Sequence, residues 1–394
     1  MKDIIIDKTG WKKCKFGDVA IQTKGIVDID NTDLTRYIAG EHMNSEDIHL
    51  RKWGNVGDGY LGPAFIRRFN KGDILYGSRR TYLKKVAIAD FDGITANTTF
   101  VIKAKEELIE PILLVHLMLS DSFTEYSVKN SRGSVNPYIN WKDIADYEFL
   151  LPPKAEQKRL AELLWAADEM IEKEKKEMEM VKVLFNEQKS ELIWDKQFDQ
   201  EKLVTVSNIG LKDGDWIESK DQAESGIRLI QFFCIYFMTI FIVRYFINKS
   251  SRFISDKTFT QLHCFEIFPN DILLARMPDP IGRSCILPQL NERCITAVDV
   301  CVIRVDELKY NTKYINYLIN TPMFRKIVIE QSSGTTRQRI SRKNLEKIFI
   351  PLPSKEVQNN IVKIITGIEN LVLSLQKQIN VSEQLKQNLI NKIF

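Results

Sequence analysis

From Ala155 to Lys196 the chain reads AEQKRLAELLWAADEMIEKEKKEMEMVKVLFNEQKSELIWDK, and the spacing of its apolar residues decides the fold. Leu160, Leu164, Ala167, Ile171, Met178, Val181, Phe185 and Leu192 fall on one seam at a 3.5-residue spacing, with Glu, Lys and Gln between them. No Pro or Gly interrupts the run after Pro153, and strong helix formers fill it. At about 1.5 Å per residue the helix should be on the order of 60 Å long, beyond the ordinary helix of a compact domain. So narrow an apolar stripe needs a partner. The end of the chain supplies one, because Ile361, Ile365, Ile368, Val372, Leu375, Ile379, Leu389 and Ile393 keep the same spacing. Two unrelated surface helices, each packed on its own domain, is the competing reading of the same periodicity.

Taken from the start, the chain falls into four blocks, the long helix being the second and the terminal helix the fourth, and the last two echo the first two. Ile94-Thr95-Ala96 matches Ile295-Thr296-Ala297, an offset of 295 − 94 = 201. At that shift Val101-Ile102, Leu117, Phe123, Ser131, Gly133, Ile139, Lys142, Leu151-Pro152, Lys154 and Gln157 find their counterparts between Val302 and Gln358. Upstream, Gly72-Asp73-Ile74-Leu75 corresponds to Asn270-Asp271-Ile272-Leu273, where 271 − 73 = 198, a small loop-length difference. The repeat is too long for a solenoid unit, so it reads as a whole module copied once. Within the first copy, short strands such as Asp73–Tyr76 and Val86–Ala89 are expected, with one helical run over roughly Ile109 to Tyr126. Trp53 to Lys85 and Gly226 to Arg293 share little, as expected of two heads doing one job on different targets.

A chain of 394 residues with 44% apolar and 27% charged residues has the composition of a globular protein with two or three cores. Net charge is +4, which permits a polyanionic partner without demanding one. The six cysteines are scattered with no CxxC pair, which fits a reduced, cytoplasmic protein without a zinc site. The amino end lacks a run of signal-peptide character. One stretch, IQFFCIYFMTIFIVRYFI from Ile230 to Ile247, is nearly all apolar and about the length of a short membrane span. Arg244 and the density of β-branched and aromatic residues favour buried strands or a strand plus helix, with no membrane partner. Membrane insertion and a local sequence anomaly that disables the second head are the alternatives.

No catalytic constellation is present. His42, His49, His116 and His263 lack metal-ligand spacing, and His116 sits in an apolar helical run where a packed role is expected. Gly54–Gly59 lacks the Gly-Lys-Ser/Thr ending of a phosphate loop, and Asn136-Pro137-Tyr138 is only a partial methyltransferase motif. Basic residues do cluster with aromatics. Arg67 and Arg68, then Arg79, Arg80, Tyr82, Lys84 and Lys85, flank the Gly72–Leu75 strand, and Ser134, Asn136 and Tyr138 follow in a loop. The second copy places Arg276 and Arg283 by the matching strand, and Thr335, Arg337 and Arg339 in the matching loop. Arg suits guanine edges and phosphates, Asn and Gln suit adenine, and hydroxyls suit phosphates, so these residues are the candidate DNA contacts. For any one of them a solvated surface role is the alternative.

The order of Phe16-Gly17-Asp18-Val19, Gly72–Leu75, Gly133-Ser134, the Leu151-Pro152-Pro153-Lys154-Ala155-Glu156-Gln157 segment and a long helix, all then repeated, resembles the specificity subunit of type I restriction-modification systems. The second copy departs at Pro353-Ser354-Lys355-Glu356-Val357-Gln358, which lacks the Glu-Gln pair. The resemblance implies an α+β chain of two globular α/β target-recognition domains, residues 1–153 and 200–352. They are separated by a long antiparallel two-helix coiled coil, residues 154–199 and 353–394, with pseudo-twofold symmetry. It further implies a non-catalytic subunit that reads a split, asymmetric site in double-stranded DNA. Its helices, through Leu160, Leu164, Ile171, Met178, Phe185, Leu192, Ile361, Ile365, Val372, Ile379 and Leu389, would pair with one another and dock two copies of a methyltransferase subunit. A restriction subunit, an endonuclease and translocase, joins for cleavage. No cofactor is implied in this chain; S-adenosylmethionine and ATP with Mg belong to the partners. A helical adaptor that assembles a complex without reading DNA is the alternative function.

Overall fold

The computed structural model describes residues 6–231, 251–277, 281–334 and 338–394. Thr335, Arg337 and all but the first two residues of the apolar 230–247 stretch lie outside the described residues. Among the described residues no helix is long and apolar enough to cross a membrane. The chain divides into two compact units, Met1–Lys175 with Gln378–Phe394, and Lys176–Lys377.

Each unit is built on the same plan. In the first, one sheet runs Ala20–Thr23, Thr99–Ala104, Ile74–Gly77, Val86–Ile88, and a second runs Gly54–Asn55, Arg36–Ile38, Gly93–Ala96, Phe65–Phe69. Lys12–Lys15 and Glu148–Leu151 pair separately. The second unit repeats the first sheet as Lys212–Asp213, Val300–Ile303, Ile272–Ala275, Ser284–Ile286. Its second sheet runs Gln222–Ala223, Phe253–Ile254, Ile227–Ile230, Cys294–Thr296. In both units the second sheet contains one parallel pair, Arg36–Ile38 with Gly93–Ala96 and Ile227–Ile230 with Cys294–Thr296. Ile74, Leu75 and Tyr76 are all buried, which a strand covered on both faces requires and which explains its unbroken apolar run.

The residues that repeat in sequence repeat because they make the same bonds. Thr95 Oγ1 donates to the Ile38 carbonyl at 2.8 Å, and Thr296 Oγ1 to the Ile230 carbonyl at 2.9 Å, locking the parallel pair in each copy. The Asp73 carboxylate accepts the Asn70 N–H at 2.8 Å, and Asp271 that of Phe268 at 2.8 Å, closing the turn before the central strand. Gly72 and Asn270, at φ +91° and +73°, hold the left-handed position of that turn. The Gln157 amide accepts from Glu110 N–H and donates to the Leu108 and Pro152 carbonyls. Gln358 likewise accepts from Asn311 N–H and donates to Pro353. Lys154 and Lys355 ammoniums donate to the Glu106 and Glu307 carbonyls. The joint between sheet domain and long helix therefore survives the loss of the Glu-Gln pair in the second copy. Glu156 makes a surface ion pair with Arg159.

The single helical run expected over Ile109–Tyr126 is two helices, Pro111–Leu119 and Asp121–Lys129. Ser120 adopts an extended backbone and its hydroxyl accepts the Phe123 N–H at 3.2 Å, so it caps a new helix and cannot continue the old one. Thr321 does the same between Thr312–Ile319 and Pro322–Glu330. His116 is fully buried on the first of these helices. Nδ1 lies 2.7 Å from the Ile112 carbonyl, and burial pushes the ring's pKa down to about 4, so it is a neutral core residue.

The central helix spans Lys154–Ile193 and the terminal helix Lys355–Ile393. Leu160, Leu164, Ile171, Met178, Phe185, Ile361, Ile365, Val372, Ile379 and Leu389 are all buried. Leu192 is only partly buried, because the seam at the helix end passes to Ile193. In the first unit Asp168 faces Lys386 at 2.6 Å, Glu174 faces Gln378 at 2.7 Å and Lys175 faces Glu383 at 2.8 Å, an antiparallel pairing. In the second, Phe185 shares a core with Ile361 and Ile365. Charged groups interrupt the seam, and one of them repeats: Asp168 and Glu369 are again 201 apart (369 − 168 = 201), both nearly buried. Polar residues at seam positions set register at some cost in stability.

Candidate nucleic-acid interface

The central strand Ile74–Gly77 of the first unit delivers the chain to Ser78, whose buried hydroxyl donates to the Thr98 carbonyl at 2.7 Å. The backbone then turns outward. Arg79 and Arg80 are exposed, and Arg80 sits at φ +48°, a left-handed conformation that a side-chain-bearing residue seldom adopts. Its N–H donates to the Pro137 carbonyl at 2.7 Å, and its Nε donates to Asn136 Oδ1 at 3.1 Å. Both acceptors belong to the loop Arg132–Tyr138, which closes on itself. Arg132 N–H reaches the Tyr138 carbonyl at 2.8 Å, Tyr138 N–H returns to Arg132 at 2.9 Å, and Gly133 takes φ +89°. Arg79 pairs with Tyr138 across the same edge. Arg79, Arg80, Asn136 and Tyr138 therefore form one exposed patch, with Ser134, Arg132 and Tyr82 exposed on the same two segments. Backbone strain held this firmly pre-sets the donors that a base edge or phosphate would meet.

The remaining basic residues divide by position. Lys84 is tied to Asp121 at 2.5 Å and Glu46 at 3.0 Å with its side chain only 12% exposed, and Lys85 donates to the Gly40 carbonyl. Burial opposes the charge on Lys84, but these two carboxylates outweigh it and raise its pKa. Both lysines are fastened to the fold. Arg67 and Arg68 lie on the strand Phe65–Phe69 of the other sheet, where Arg67 donates to the Lys24 carbonyl and Arg68 is exposed.

In the second unit two expectations need correction. Arg276 stands where the first unit has Ser78, and its side chain is 5% exposed. It is paired with Asp213 at 2.5 Å and donates to the Val298 carbonyl at 2.6 Å. Arg283 is likewise buried, opposite Ala275 in the strand pair. Both are interior arginines, not surface contacts. Arg339 is exposed and closes a loop with Ser333, by reciprocal bonds of 2.9 and 2.8 Å, in the manner of Arg132 and Tyr138.

One further cluster joins the first unit's sheet domain to its helices. His49 Nε2 lies 2.6 Å from Asp168 Oδ2, whose other oxygen accepts from Lys386. Arg51 spans Asp47 at 2.6 Å and Glu172 at 2.5 Å. Asp47, His49 and Glu172 bring three ligand atoms within 4.8 Å of one another, but the Arg51 guanidinium already occupies both carboxylates. The chemistry is that of an ion-pair node, not a metal site. The hydrogen bond to Asp168 raises the His49 pKa. Burial of Asp168 is outweighed by His49 and Lys386, which hold its carboxyl well below the usual range.

The family model described as "Type I restriction modification DNA specificity domain" matches residues 8–182 and again 203–386. The MjaVIII type I restriction enzyme specificity subunit of Methanocaldococcus jannaschii is 24% identical over 77% of this chain and 73% of that one. Among solved structures, a chain from a study of complex assembly and conformational transition of the type I R-M system aligns with a TM-score of 0.67 at 20% identity. The alignment covers 98% of this chain and 97% of that one. The HsdS subunit from Thermoanaerobacter tengcongensis aligns with a TM-score of 0.53 at 19% identity, over 98% and 97%.

Proposed function

Because the chain belongs to the family of type I restriction modification DNA specificity domains, which it carries twice, we propose that it reads a bipartite, asymmetric DNA site, one half with each unit. It is the DNA sequence-specificity subunit of a restriction-modification system, with no catalytic part of its own. The observation that carries the two-half reading is the repetition of the bonds that hold the frame, at Thr95 and Thr296, Asp73 and Asp271, and Gln157 and Gln358, while the parts hung on it differ. On the first unit the reading edge is the Arg79, Arg80, Asn136 and Tyr138 patch, with Ser134 and Tyr82 beside it. On the second it is the edge where Ser333 and Arg339 pair.

The partners are a methyltransferase subunit in two copies and, for cleavage, a restriction subunit. S-adenosylmethionine, and ATP with Mg, are held by those subunits, and the assembly works in the cytoplasm. Support for two equal docking places comes from the helices. Leu163, Met170, Met180 and Leu184 are exposed, and so are Ile364, Leu371, Val381 and Leu385, each pair again 201 apart (364 − 163 = 201). All eight are between 41 and 56% exposed, at positions where a solvated helix carries Glu or Lys. The first unit holds Leu163, Met170, Val381 and Leu385, and the second holds the counterparts of those same four. A face present twice fits one kind of partner twice. Leu163→Glu with Met170→Glu is expected to remove one methyltransferase copy, read as a mass difference by native mass spectrometry. Retention of both copies, or loss of both, would count against the assignment.

The main test is binding by the chain assembled with its methyltransferase to a library of genomic fragments. One split motif is the expected outcome, with affinity falling steeply as salt rises. Binding indifferent to sequence would favour the helical adaptor instead.

A further inference from the structure

The two units serve as internal controls for each other, since wherever their hydrogen bonds coincide the frame is fixed and wherever they differ the chain is free to carry specificity. One connection that differs is the one crossing the second sheet. In the first unit it runs from the strand Gly54–Asn55 to Phe65–Phe69. In the second it runs from Phe253–Ile254 to Ile267, whose pairing with Cys294 stands where Phe69 meets Gly93. The first version is a loop without regular structure. It contains Gly57 at φ +102° and Gly62 at φ +49°, and it presents Tyr60, which is 92% exposed. The second is a short helix, Asp256–Gln261, capped by Ser255 Oγ on the Thr258 N–H at 3.1 Å. It leaves Lys257, Gln261 and His263 exposed, the last in a left-handed turn at φ +51°. Arg293 holds this helix by pairing with Asp256 at 2.8 Å and covering the Phe259 ring.

Both versions end at the same edge of the frame. Ala64 accepts from Asn97 N–H at 2.8 Å and Thr98 accepts from Ser78 N–H at 3.0 Å, which ties the end of the loop, through the Asn97-Thr98 turn, to Ser78 beside Arg79. In the second unit the Asp215 carboxylate accepts from Phe265 N–H at 3.1 Å, and its carbonyl accepts from Val298 N–H at 3.0 Å. Asp299 then accepts from Arg276 N–H at 2.9 Å. The last residues of each connection thus lie against the turn that meets the outer end of the central strand, at Ser78 in the first copy and Arg276 in the second.

We propose that this connection is a further specificity-determining element of each unit, beside the reading edges named above. Tyr60 stacks on or wedges beside a base step of one half-site, and Lys257, Gln261 and His263 hydrogen-bond to base edges of the other. Glycines on either side give the Tyr60 loop the conformational range to enter a groove, and an aromatic wedge favours the base steps that unstack most readily. Lysine pairs with guanine acceptors and glutamine with the adenine edge. The inference rests on the DNA-specificity function proposed above.

The test uses the chain assembled with its methyltransferase, with the methylated motif mapped by single-molecule sequencing. Wild type should methylate one split motif. Tyr60→Ala should relax at least one base position in one half of it and weaken that half about 10-fold. Gln261→Ala with His263→Ala should relax positions in the other half only. If wild type gives a split motif and both variants reproduce it unchanged, the assignment of the connection falls while the specificity function stands. If wild type gives no split motif, the specificity function itself falls.

Discussion

Replacing Arg79 and Arg80 together by alanine is expected to abolish discrimination in one half of the recognised site while leaving the other half untouched. Arginines that contact bases contribute about 1–3 kcal/mol each, so binding to the intact site should fall on the order of a hundredfold or more. Competition binding with duplexes altered one base pair at a time reads the effect. Arg80 allows a second variant, because its backbone is left-handed and arginine and alanine alike are strained there by roughly 1 kcal/mol. Arg80→Gly removes the guanidinium and relieves the strain together. If it relaxes the half-site as far as alanine does, the lost charge is responsible. Equal loss of recognition in both halves would contradict a two-head reader.

Asp168→Ala should destabilise the first unit by about 3–5 kcal/mol, the cost of leaving a buried charge without its counter-ion. The Asp168 carboxylate is 5% exposed and accepts from both His49 and Lys386, whose own side chain is 11% exposed. Chemical denaturation measures the change, and a loss under about 0.5 kcal/mol would show that the node is ornamental. Lys189→Met in the second unit makes the contrast. Burial pushes that ammonium down to about 8 against a partial offset from Glu369, so the apolar replacement, made together with Glu369→Leu so that no charge is left buried alone, should be neutral or stabilising. The node also has a pH signature. The His49 pKa is raised, so its contribution is complete below the ordinary imidazole value of about 6.5 and is lost as pH rises through the folded value. Asp168 has the opposite sign, contributing at neutral pH and failing only on strong acidification. Stability of the wild type should therefore decline as pH rises above about 6.5, and His49→Gln should flatten that decline.

The helical seam was legible because period and burial are the same fact seen twice, from Leu160 to Phe185 and from Ile361 to Leu389. The duplication was legible too, and the repeated residues are those that hold the frame together, since Thr95 and Thr296 lock strands while Gln157 and Gln358 fasten helices. The break at Ser120 was signalled by the Ser-Asp pair that starts the second helix, a cap signal outweighed by the apolar run before it. Arg276 and Arg283 could not be placed by type or by neighbourhood. The partner of Arg276 is Asp213, 63 positions away, and only the folded sheet brings the two together. Tyr60 and the Asp256–Gln261 helix escaped notice for a related reason. Sequence comparison between the halves records that they differ there, but not that both connections end against the same turn of the frame.

The joint made by Gln157 and Lys154, and again by Gln358 and Lys355, engages backbone carbonyls and amides on the sheet side. Main-chain groups are common to every protein, so such a joint does not inspect the amino acids it grips. A crossover in the gene near either joint would therefore deliver a foreign head already fitted to its stem, and the lineage could acquire a new DNA address in one step without redesigning the machine that reads it.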